Sequence, residues 1–117
     1  ELLRSLAWEA RMWNEADKLL AMAKNASLAN KDLAPFFFLS GRSTFEKKDC
    51  KKAIPAYEKA IELDSDSQYA SEGRFRLGKC LMKVNRIAEA KGIWERLVNT
   101  KDNFWSPLAK NELKLLQ

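Results

Sequence analysis

The chain contains no histidine. That absence removes the commonest general base, the commonest protein metal ligand and every catalytic triad built on an imidazole. Glycine is scarce as well. Gly41, Gly73, Gly78 and Gly92 stand alone within helical patterns, and none belongs to a Gly-rich loop of the kind that cradles phosphates. With three prolines beside those four glycines, little chain is left for long loops, which favours an all-α reading. No apolar run approaches the roughly 20 residues that a membrane span needs. No secretory signal is visible, and the chain opens on Glu1 rather than Met. The expectation is therefore a piece of a longer protein, which leaves a removed signal, an upstream membrane anchor and the compartment as open questions. Glu58 and Glu62 share a helix face but flank Lys59 on a solvated side, a poor place for a metal or an acid–base pair. The reading is a non-enzymatic chain with no cofactor, metal or small-molecule substrate.

What is present suits one folded domain. At 117 residues the chain can bury a continuous core but has no room for a separate catalytic module. The net charge of +5 comes from 21 cations mixed among 16 carboxylates. That mixture fits a solubilising surface better than a nucleic-acid-binding one. Lys47, Lys48, Lys51 and Lys52 form the densest basic cluster. A solvated turn is favoured over a phosphate or lipid contact there, because no aromatic is interleaved and Asp49 sits in the middle.

The positive signal is a repeat. Gly41 recurs as Gly78, Ala53 as Ala90, Tyr57 as Trp94 and Ala60 as Leu97, each a step of 37 residues. The same step backwards takes Ala53 to Ala16, Tyr57 to Leu20, Ala60 to Ala23 and Cys50 to Trp13. A period in this range marks stacked helical hairpins, none of which can bury its apolar face alone.

Apolar spacing then predicts about seven helices. Leu2, Leu3, Leu6, Ala7 and Ala10 stripe the first. Trp13, Ala16, Leu19, Leu20 and Ala23 stripe the second, which should fray near Asn25 to Asn30. The third is expected to start at an Asp32 N-cap, with Pro35 in its first turn, and to run through Phe45. Asp49 should cap the fourth, which buries Ala53, Tyr57, Ala60 and Ile61, with Pro55 kinking rather than breaking it. Asp66 or Ser67 should cap the fifth, which ends before a left-handed Asn85. The sixth runs from about Ile87 to Asn99. Ser106 and Pro107 open a seventh, expected to cover the last hairpin. The implied units are residues 1–31, 32–66, 67–103 and 104–117.

Gly41 through Thr44 and Phe45, then Ala53, Tyr57 and Ala60 to Asp64, resemble a tetratricopeptide repeat. The spacing of 37 exceeds the 34 usual in that family and is similar to longer repeats of bacterial cell-envelope members. Arg4 fills the glycine slot of the first unit, and Ser65 replaces the proline that usually ends a hairpin. The resemblance implies a right-handed α-solenoid of about three hairpins plus a C-terminal capping helix. It also leans the location toward a bacterial periplasm or cell envelope, with cytoplasm as the alternative.

In such arrays the first helix of each hairpin lines a concave groove that holds a peptide or partner domain. Mapped residue by residue, that face carries Ser5, Trp8 and Glu9, then Phe38, Arg42, Phe45 and Glu46, then Phe75, Lys79, Met82 and Lys83. The expected groove residues are Trp8, Phe38, Arg42, Phe45, Phe75, Lys79, Met82 and Lys83. They suit a peptide with apolar anchors and an acidic or carboxylate group. Aromatics at this spacing also serve as core, so exposure of at least three of the five apolar ones is the point to check. A self-associating segment of a longer array is the alternative function, and nucleic-acid binding ranks last.

Cys50 and Cys80 leave two readings open. They are either two small buried apolar residues or, if the fourth and fifth helices lie antiparallel, partners at one height that can bridge. A bridge would imply an oxidising compartment.

Overall fold

A computed structural model describes residues 15–116, and the described residues form six helices and no strand. They are α1 (Ala16–Asn25), α2 (Asn30–Glu46), α3 (Cys50–Leu63), α4 (Ala70–Lys83), α5 (Ile87–Val98) and α6 (Trp105–Leu115). Six helices stand where about seven were expected, because the first predicted helix, with Trp8, lies outside the described residues.

Two helix starts follow from local side-chain chemistry. The Asp49 carboxylate accepts from the Lys52 N–H, satisfying a donor that the first turn of α3 cannot pair. Asp102 does the same for α6, accepting from the N–H groups of Phe104 and Trp105. Pro107 then falls in a first turn, where its missing N–H costs least.

Two expected starts are corrected. Helix α2 begins at Asn30, so Asp32 lies inside the first turn, where its charge complements the helix dipole, and is not the N-cap. Pro35 consequently sits beyond the first turn. Helix α4 begins at Ala70, after a turn in which Ser67 Oγ accepts from the Tyr69 N–H; neither Asp66 nor Ser67 is its N-cap. Pro35 and Pro55 both occupy exposed positions inside unbroken helices. The carbonyls they leave unpaired belong to Lys31 and Lys51, which are also exposed, so water can replace the lost bonds.

The 37-residue step reappears in the packing. An added Cβ at Gly41 would come 2.8 Å from the Tyr57 ring, and one at Gly78 would overlap the Trp94 indole. Both rings are almost wholly buried. The turns that follow also match. Lys48 and Asn85 take φ of 62° and 66°. The Asp49 N–H donates to the Thr44 carbonyl and the Arg86 N–H to that of Leu81, both at 2.8 Å. Between hairpins, Phe38 tilts onto Tyr69 at 6.1 Å as Phe75 tilts onto Trp105 at 5.6 Å.

Each helix packs on the next in sequence; α2 also touches α4, and α4 touches α6. One buried cluster joins α2, α3 and α4 through Ala34, Phe38, Tyr57 and Leu77, and a second joins α5 and α6 through Trp94, Leu97 and Ala109. Ala53, Ala60, Ala90 and Ala109 have no exposed surface, which is how the helices approach so closely.

Cys50 and Cys80 form a disulfide between the start of α3 and the last turn of α4, with Cα atoms 5.2 Å apart. The antiparallel course of the two helices puts both residues at one height, and Cys80 is fully buried.

Two measurements follow from this packing. Gly78→Ala is expected to cost about 1–3 kcal/mol by overpacking. Gly92→Ala, with nothing near its added Cβ, should gain about 0.5–1 kcal/mol from helix propensity. Urea melts of the two variants check the opposite signs. Reduction should remove about 3–4 kcal/mol, the value for a loop of 30 residues. Thiol titration of denatured, unreduced protein should find none; two free thiols would contradict the bridge.

Candidate partner-binding face

The expected groove residues separate in space. Trp8, with Ser5 and Glu9, lies outside the described residues. Phe38 is corrected: it is only 5% exposed, its ring filling the space over Gly73 and touching Tyr69, so it is core and not groove. Ala34, Phe38 and Gly41 recur at four and three residues, which puts them on one helix face, the face turned toward α3 and α4.

Arg42, Phe45, Phe75, Lys79 and Met82 are half-buried, and Lys83 is exposed. Phe75 tilts between Trp94 and Trp105, and Met82 touches both buried clusters. Of the five apolar groove residues, Phe38 is thus buried, Phe45, Phe75 and Met82 are half-buried, and Trp8 lies outside the described residues. Among the described residues, the large apolar side chains that are exposed are Met22, Leu28, Ile87, Phe104 and Leu115, none of which the repeat pattern singled out.

The face is instead built around Arg76. Its guanidinium lies 5.3 Å from the centre of the Phe45 ring and 5.8 Å from that of Trp105, bridging α2, α4 and α6. A cation over an aromatic face gains about 0.5–2 kcal/mol as it loses water. Arg76 also faces Glu46 and Glu72 at 3.6 Å. Arg42 reaches Glu72 at 3.0 Å and its own helix neighbour Glu46 at 3.8 Å. Two cations and two carboxylates thus form a balanced network linking α2 to α4. Lys79 donates to Glu112 at 2.6 Å and lies over the Phe75 ring, linking α4 to α6.

Arg76, Glu72 and Trp105 were not anticipated. The i,i+4 spacing of Glu72 and Arg76 was a readable signal. The position of Trp105 over α4 was not, since it depends on how the last helix folds back.

Beneath this network, Tyr57 has its hydroxyl buried beside Arg76 without a well-formed hydrogen bond. Burial pushes the phenol well above its usual range, and Glu72 pushes the same way, against the opposing charges of Arg76 and Arg42. Tyr57 therefore keeps its proton and is no base near neutrality. No three His, Cys, Asp or Glu side chains among the described residues come together as a metal site.

No family model, curated protein or solved structure matches the chain.

Tyrosine in an unfolded chain ionises near pH 10. Since folded Tyr57 holds its proton to higher pH, its contribution to stability is complete below about pH 10 and falls as pH rises through that value. Tyr57→Phe should change stability by no more than about 1 kcal/mol at pH 7, because the hydroxyl it removes is poorly partnered. The same substitution should flatten the alkaline decline. Denaturant midpoints measured from pH 7 to pH 11 check both.

Proposed function

We propose that this chain is a non-catalytic protein–protein interaction module, a right-handed α-solenoid of tetratricopeptide type. It holds a peptide or partner domain against the face made by α2, α4 and α6. The strip of partly buried cations and aromatic rings carries the reading: Arg76 lies over Phe45 and Trp105, Lys79 lies over Phe75, and Arg42 joins them through the ion network. The matching seats of Tyr57 on Gly41 and of Trp94 on Gly78, one pair 37 residues after the other, support the repeat. The direct contacts of α2 with α4 and of α4 with α6 support a shared face.

The partner is an acidic or carboxylate-bearing segment. Lys83 lies exposed at the end of the strip, and Lys79 can exchange Glu112 for an incoming carboxylate. The Cys50–Cys80 bridge supports an oxidising compartment such as a bacterial periplasm or cell envelope over the cytoplasm. A second reading, a self-associating segment of a longer array, is favoured by one feature. Phe104 and Leu115 at either end of α6 are 64% and 78% exposed.

Charge reversal tests the first reading and also breaks the Lys79–Glu112 pair between α4 and α6, so folding is checked alongside. Lys79→Glu combined with Lys83→Glu should weaken capture of a partner at least about tenfold, in keeping with electrostatic recognition. Lys47→Glu with Lys51→Glu, in and just after the turn between α2 and α3, should leave capture unchanged. Circular dichroism and Tm verify that both variants fold. Capture that survives the first pair contradicts the groove, and a dimer in sedimentation that Leu115→Lys abolishes supports the second reading.

A further inference from the structure

A cleft of about 280 Å³ opens between the α3–α4 turn and the end of α5, at the opposite end of α4 from Lys79 and Lys83. Its walls include Arg74 and Arg96, close enough for their charges to interact, and the hydroxyl-bearing Ser65, Ser71 and Thr100. Neither arginine has a carboxylate within ion-pairing distance among the described residues. That sets them apart from Arg42, Arg76 and Arg86, each of which is paired.

Two like charges sharing a partly desolvated cleft repel, and a protein gains nothing from that arrangement unless something anionic answers it. Burial, and then the Arg96 charge, hold the Arg74 guanidinium below its usual range, with Asp66 opposing them. Asp66 offsets one cation and leaves a net positive cleft. Arg74 spends one donor on the Ser65 carbonyl at 3.1 Å, which fixes its side chain across the turn and leaves its other donors for a ligand. The Ser71 hydroxyl, in the first turn of α4, has no partner among the described residues. The Thr100 hydroxyl is already committed to the Leu97 carbonyl, so Thr100 shapes the wall and is not a donor to the ligand.

We infer that this cleft binds a tetrahedral oxyanion of the phosphate class, held between Arg74 and Arg96 with the Ser71 hydroxyl as a further donor. With Asp66 leaving one net positive charge in the cleft, geometry sets the preference. The four oxygens of a phosphate can accept from planar donor forks on two sides, and the two oxygens of a monocarboxylate cannot reach both as well, so it is the weaker ligand. The site is separate from the α2–α4–α6 face and does not depend on what that face binds.

Inorganic phosphate is the probe. Amide resonances of Ser71 and Thr100 are followed while phosphate is added at constant ionic strength, with acetate as the comparison. Saturable shifts with a dissociation constant of about 1–10 mM are expected. Arg96→Gln, on an exposed side chain that leaves the Arg74–Ser65 bond intact, should weaken binding about tenfold, the effect of one charge-assisted contact. Lys110→Gln, a control for net charge on α6, should not change it. Equal affinity for acetate would overturn the assignment to phosphate, as would shifts that do not saturate. Unchanged binding in Arg96→Gln would overturn the site.

Discussion

An aromatic ring packed directly against a glycine holds each described hairpin together. Where Tyr57 meets Gly41 and where Trp94 meets Gly78, the missing Cβ lets the ring fill space that any side chain would occupy. Trp94 is further fixed by its indole N–H, which donates to the Phe75 carbonyl at 3.2 Å. A buried aromatic of this kind is worth about 3–5 kcal/mol by truncation. In a domain this small that is a large share of the whole. The close approach also aligns the turn that follows, so the same left-handed residue and the same capping bonds appear in both hairpins.

The remaining contacts extend from those two seats. Phe38 on Tyr69 and Phe75 on Trp105 carry each hairpin onto the next element. The disulfide pins the start of α3 to the end of α4, on the side away from the Arg74–Arg96 cleft. Above the rings, the ion network of Arg42, Glu46, Glu72 and Arg76 fixes α2 against α4 without leaving net charge. The proposed groove is thus a polar surface built on an aromatic floor. Its unbalanced charge comes from Lys83, joined by Lys79 when Glu112 is released.

Much of the architecture was legible because a repeat states each packing rule twice. Gly41 and Gly78, Tyr57 and Trp94, and the caps at Asp49 and Asn85 could be read before any coordinates existed. The groove was less legible. Period alone cannot tell Phe38, which shares a face with Ala34 and Gly41, from Phe45 at the helix end; only the direction of the neighbouring helix decides. Lys48 in a left-handed conformation ran against residue preference, and only the match to Asn85 could have revealed it. Helix starts at Asn30 and Ala70 differed from the expected caps: α2 gains an exposed first turn ahead of Asp32, and a turn closed by Ser67 and Tyr69 delays α4. The Arg74–Arg96 pair, 22 residues apart in sequence, had no local signature.

A double-mutant cycle on Gly78 and Trp94 tests the ring-on-glycine constraint most directly. With Trp94→Leu in place, the space over residue 78 opens and an alanine there no longer collides. The account predicts that Gly78→Ala costs much less in that background than in the wild type, a coupling above about 1 kcal/mol. Additive losses across the cycle would contradict it.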